Sequence, residues 1–159
     1  MNEDQINRLP PDVKKQFLKY ALKLSEKKTK TKVHDDFMTF VKHVWPEFIE
    51  GRHHKEIAEK FNQIARGEIK RLIINMPPRH TKSEFASFLL PSWMVGRKPN
   101  LKIIQTTHTT ELAIRFGRKA KTLMDSQEYK QVFSTRLRED SQAAGKWETE
   151  QGGEYYAAG

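Results

Sequence analysis

The 159-residue chain contains no cysteine. That excludes a disulfide framework, a thiolate metal centre and a cysteine nucleophile, and it suits a reducing compartment. Long apolar runs are missing as well. Nothing approaches the roughly 20 residues of a membrane span, and the opening MNEDQINRLPPDVKK has no apolar core of the kind a signal peptide needs. Acids are the minority charge: 20 Asp and Glu stand against 29 Lys and Arg, which leaves a net charge of +9. Such a surplus favours contact with a polyanion, whether nucleic acid, nucleotide or acidic lipid. No internal repeat is visible. Aromatics at 10% and recurrent apolar clusters exclude a disordered chain, and the length suits about one domain.

Helical periodicity dominates the first half. Residues 10–27 read as a helix opened by Pro10 and Pro11, with Val13, Phe17, Tyr20, Ala21 and Leu24 on one face. SEKKTKTK (25–32) has no apolar residue and reads as a linker or helix end. A second helix is expected over 35–45, and the stripe of Phe37, Phe40, Val41, Val44, Trp45 and Phe48 reads as core. A third spans 52–66 and is stopped by Gly67. EIKRLIINM then reads as a buried strand, followed by a loop and a helix over 82–95 that Pro91 is expected to bend or end early. Leu101 to Thr106 forms another buried strand, and a helix over 109–125 is capped by Thr109 or Thr110. Two short strands, Trp147 to Thr149 and Tyr155 to Ala157, flank Gln151-Gly152-Gly153. Strand, loop, helix, strand, helix predicts a βαβ unit, hence an α/β fold with a parallel sheet and flanking helices.

Glycine is absent where it matters most. The loop INMPPRHTKS sits between a strand and a helix, the position of a phosphate-binding loop. The usual pattern there is G-x-x-x-x-G-K-[ST], in which backbone amides and a lysine hold phosphates and a hydroxyl binds Mg²⁺. Lys82 and Ser83 match, but Met76 and Thr81 occupy the glycine places. Pro77 and Pro78 restrict the loop by another route, and Arg79, His80 and Lys82 gather positive charge. The residues alone leave two readings open: a nucleotide site, or a solvated basic turn at a helix start.

Three blocks in order, GEIKRLIINMPPRHTKSEFAS, THTTELAIRFGRKAKTLMDSQEYKQVF and TRLREDSQAAGKWETEQGGEYYAAG, resemble the ATPase domain of bacteriophage terminase large subunits, the motors that pump DNA into procapsids. The likeness spans about residues 34–159. It implies a P-loop NTPase fold of the RecA/helicase-like type, with an N-terminal helical segment over 1–50 and an incomplete ATPase domain over 51–159. It implies ATP and Mg²⁺ as cofactors. Lys82 would be the phosphate-binding lysine, Ser83 the Mg²⁺ ligand and Arg79 the basic residue set against the γ-phosphate. Pro78, His80 and Thr81 would complete the cradle. His54 lies near where related motors read adenine, although it also shares a core face with Ala58 and Phe61.

The resemblance further implies double-stranded DNA, a portal protein and a small terminase subunit as partners, a homo-oligomeric ring in the full-length protein, and a place in the host cytoplasm with transient docking on the procapsid. The family's acidic strand and nuclease domain do not occur within the 159 residues. The chain is therefore expected to be an N-terminal fragment that binds Mg·ATP weakly and does not turn it over alone. A basic DNA-docking module and a helicase-like translocase are the competing readings. Arg115, Arg118, Arg136 and Arg138 are candidates for an arginine finger acting on a neighbouring subunit, or for a solvated or DNA-facing surface. The six histidines show no zinc-ligand spacing.

Overall fold

Good helix formers carry the chain further into helix than its apolar pattern predicts. The computed structural model describes residues 10–159, apart from the side chain of Gln142; the expected helical segment before residue 10 lies outside the described residues. Helix α1 (Pro11–Asp35) runs unbroken through the stretch expected to be a linker. SEKKTKTK contains neither glycine nor proline, and its lysines and glutamate favour helix. Thr29 and Thr31 return their hydroxyls to the carbonyls of Ser25 and Lys27, each at 3.0 Å. The predicted inner face of α1 is inner only in part: Phe17 and Ala21 are half-buried, Val13, Tyr20 and Leu24 are exposed, and full burial is confined to Val33 near the C-terminal end.

Helices α2 (Phe37–Val44) and α3 (Arg52–Arg66) follow as expected. Gly67 closes α3 at φ 80°, where glycine avoids a Cβ clash. A π-helical segment, Glu84–Leu89, then runs directly into α4 (Leu90–Arg97). Proline does not end this helix. Leu90 N–H already bonds five residues back to Phe85 O, so the missing donor of Pro91 falls where the ladder is interrupted. The remaining elements are β1 (Lys102–Thr106), α5 (Thr110–Asp125), α6 (Gln127–Val132), β2 (Leu137–Ala143), β3 (Lys146–Thr149) and β4 (Glu154–Ala158). Among the described residues, no helix is long and apolar enough to cross a membrane.

The core centres on Phe37. Its ring meets Phe61, Phe85 and Trp93 edge-on at 5.0 to 5.4 Å. Several buried polar groups are matched: Asn62 accepts from Phe37 N–H and donates to Asp36, Trp93 donates to Val33 O, and Tyr129 donates to Ser92 O, whereas the Tyr155 hydroxyl has no partner among the described residues. Helices on both sides of residue 50 share this one core.

The sheet has the order β1-β4-β3-β2. Only β1 and β4 pair in parallel; β2–β3 and β3–β4 are antiparallel. The α/β class therefore holds, but the parallel partner of β1 is β4, not residues 71–76. That segment has no strand assignment and no backbone bond to the sheet. Its burial still alternates, with Leu72 and Ile74 half-buried and Ile73 86% exposed. An apolar run supplies the face of a strand, but a strand also needs a ladder partner. Strand β2 has the opposite history: LREDSQA carries no apolar alternation, and hairpin pairing with β3 alone makes it a strand.

Helix α5 covers one face of the sheet. At Gly117 a Cβ would lie 2.4 Å from Ala144 O, so only glycine lets the helix approach this closely. Trp147 donates to Gly117 O at 3.3 Å and stacks flat on Tyr155 at 4.7 Å. The opposite face leaves Ile104 and Tyr156 exposed.

Candidate functional site: a phosphate-type loop without glycine

The loop from Pro77 to Ser83 links the 71–76 segment to the helical stretch that begins at Lys82. Two of its residues adopt the left-handed conformation that glycine normally supplies: Arg79 at φ 64° and Thr81 at φ 59°. Thr81 stands at the second glycine place of the phosphate-loop pattern. The residue type departs from the pattern, and its backbone takes a conformation that glycine adopts freely. Left-handed backbone costs a side-chain-bearing residue roughly 1–2 kcal/mol, so something must hold it there.

His54 does this for Thr81. The imidazole projects from the first turn of α3, is 7% exposed and rests against Phe48 and Phe85. Gly51 N–H donates to its Nδ1 at 2.9 Å, and its Nε2 meets Thr81 Oγ1 at 2.7 Å. Thr81 Oγ1 in turn donates to His80 O at 2.7 Å. This chain of donors is consistent only with a neutral ring protonated at Nε2. Burial pushes the pKa of His54 below its ordinary value, reinforced by neighbouring His53 and His80 and opposed by Glu50. Both ring nitrogens of His54 are thus committed to the protein.

Two further bonds tighten the loop. His80 Nδ1 lies 2.9 Å from Pro78 O, and Lys82 Nζ donates across the loop to Met76 O at 3.3 Å. The first backbone bond of the following helix is Phe85 N–H to Thr81 O, so the amides of His80, Thr81, Lys82 and Ser83 have no backbone acceptor among the described residues. Residues 77–84 line an open cavity of about 530 Å³. Arg79, His80 and Ser83 are exposed there, and Lys82 is half-buried. Lys82, Arg79, Pro78, His80, Thr81 and Ser83 are therefore brought together; His54 supports them from beneath.

The donor set fits a polyphosphate: unbonded amides at a helix start, one lysine, one arginine and one hydroxyl. For Mg²⁺ the fit is partial. Ser83 offers a single oxygen, and no cluster of three histidines or acids that could hold a metal exists among the described residues. Mg²⁺ tolerates this arrangement when phosphate oxygens and waters supply the remaining ligands.

Other arginines sit elsewhere. Arg115 and Arg118 line a cavity of about 660 Å³ along α5, to which no loop residue contributes. Arg136 is spent on the carbonyls of Phe133 and Thr135, and Arg138 on Asp140 and Glu148.

Sequence reasoning overlooked one pair. Lys119 of α5 grips both carboxylate oxygens of Glu84, at 2.7 and 2.8 Å. The two residues are 35 positions apart. Glu84 carries a readable signal as an acid in a first helical turn; Lys119 carries none. Compared with protein-family models, curated proteins and solved structures, the chain matches none.

Proposed function

We propose that residues 77–83 form a phosphate cradle for Mg·ATP, and that the chain is the ATP-binding part of a DNA-packaging motor of the terminase large-subunit type. The observation that carries this reading is Thr81, a threonine held at φ 59° by a buried histidine so that the loop takes a glycine-like course. Strain of this kind, stabilised by its surroundings, is characteristic of functional loops. The three-block resemblance and the net charge of +9 add the motor and its DNA.

In this reading the amides of His80 to Ser83 hold the phosphate oxygens. Lys82 exchanges its bond to Met76 O for one to phosphate, and Arg79 closes over the terminal charge. Ser83 offers its hydroxyl to the metal. Mg²⁺, when bound, neutralises charge on the transferring phosphoryl group. Among the described residues, no carboxylate is available in the cavity to orient an attacking water, because Glu84 is engaged by Lys119. The described residues therefore bind and orient the nucleotide; binding without appreciable turnover is the expected behaviour of this chain.

The test is a thermal shift. Mg·ATP at millimolar concentration is expected to raise the melting temperature, and Lys82→Ala to abolish the rise, since a ligand of the native state stabilises it. Tripolyphosphate matching ATP would favour a DNA-phosphate docking module, and no shift with either would overturn the cradle.

A further inference from the structure

We infer that Lys119 is a positioning residue for the phosphate loop: it masks the charge of Glu84 so that an anion can enter. The inference rests on the reading of residues 77–83 as a phosphate cradle.

Glu84 directly follows Ser83 and, among the described residues, is the one acid lining the loop cavity, where the other formal charges are those of Arg79 and Lys82. An acid in the first turn of a helix favours the helix, because it sits in the positive field of the unbonded amides. A bound phosphate uses that same field. An unmasked carboxylate would thus compete with the ligand twice, once for the amides and once for Lys82, and would repel it as a like charge.

The structure places a specific counter-charge there. Lys119 reaches from α5, the helix that covers the sheet, and its Nζ meets both carboxylate oxygens. The same amine lies 5.5 Å from the ring centre of Phe88, one turn beyond Glu84. It therefore holds the carboxylate against the π-helical segment, directed toward α5. Both side chains are about one-third exposed (36% and 33%). An ion pair this wet contributes little to global stability. Its consequence is local: it sets the charge beside the loop.

The experiment measures binding of inorganic pyrophosphate to the full chain by calorimetry, at two salt concentrations. Lys119→Ala is expected to weaken binding about tenfold at low salt, less at high salt. Adding Glu84→Gln to Lys119→Ala is expected to restore affinity to within about threefold of wild type, and Lys119→Arg to leave it nearly unchanged. The melting temperature is expected to stay nearly constant across the series. A merely structural pair predicts no recovery in the double variant, because the contact is absent from it; that result overturns the inference, as does an unaltered Lys119→Ala. Lys82→Ala separates the two levels. Binding that Lys82→Ala abolishes and Lys119→Ala leaves alone defeats only the masking role. No pyrophosphate binding by wild type defeats the cradle and the masking role together.

Discussion

Of the three places where the described residues take left-handed backbone, the β3–β4 turn and the phosphate-type loop meet the demand in opposite ways. Between β3 and β4 the chain uses Gly152 at φ 83°, with nothing within 4 Å of where a Cβ would stand. Only backbone is needed there, and Thr149 completes the turn by accepting from Gly153 N–H at 2.8 Å. In the phosphate-type loop, Arg79 and Thr81 take similar φ values while keeping their side chains. Thr81 is compensated by His54; Arg79 makes no side-chain bond among the described residues and is exposed. A connector can be built from the residue that minimises strain. The loop retains its side chains, and at Thr81 the strain is offset by a buried histidine.

The comparison breaks most visibly at His54. His54→Ala leaves Gly51 N–H without its acceptor and Thr81 Oγ1 without its donor and removes a ring packed on Phe48 and Phe85, so a loss of about 3 kcal/mol is expected in urea denaturation. A loss below about 0.5 kcal/mol would mean that Thr81 holds its conformation unaided. At the connector, Gly152→Val is expected to cost about 1–2 kcal/mol, because a branched side chain is forced into the left-handed region. Thr81→Gly should lie within about 0.5 kcal/mol of wild type, since relief of strain and loss of the His54 bond nearly cancel.

The smallest effect is with pH. The folded pKa of His54 is depressed below the ordinary value of 6.5. Between the two values the unfolded chain binds more protons than the folded one, so stability is complete above 6.5 and is lost as pH falls below it. The melting temperature should therefore decline on acidification past that point, and decline less in His54→Asn.

Much of the helical framework was legible from periodicity. The stripe that opens on α2 became the centre of the core: Phe37, Phe40 and Val41 are buried, and Val44, Trp45 and Phe48 pack against them. The Thr109 cap and the Gly67 stop were local chemistry and were found where expected. What escaped depends on distant partners. The 71–76 run lacks a ladder neighbour, β2 gains one through a hairpin, and α1 continues through lysines that carry no apolar signal. The loop was legible as residue types and illegible as geometry: no pattern predicts that a threonine will take the glycine conformation, because its support comes from His54, 27 residues away. Lys119 was hidden for the same reason.

Among the described residues, strand β1 stands at the end of the sheet, and Ile104 and Tyr156 are exposed on its open face. An unpaired edge beside exposed apolar side chains is a template for chain-to-chain association. Short strand length limits it, and so does the net charge of +9, which sets copies of the chain against one another. That repulsion weakens as salt shortens its reach, to about 10 Å at 0.1 M. The colloidal stability of the chain is thus set by ionic strength: solutions should be most dispersed at low salt, and added salt should draw the edges together well before it unfolds the core.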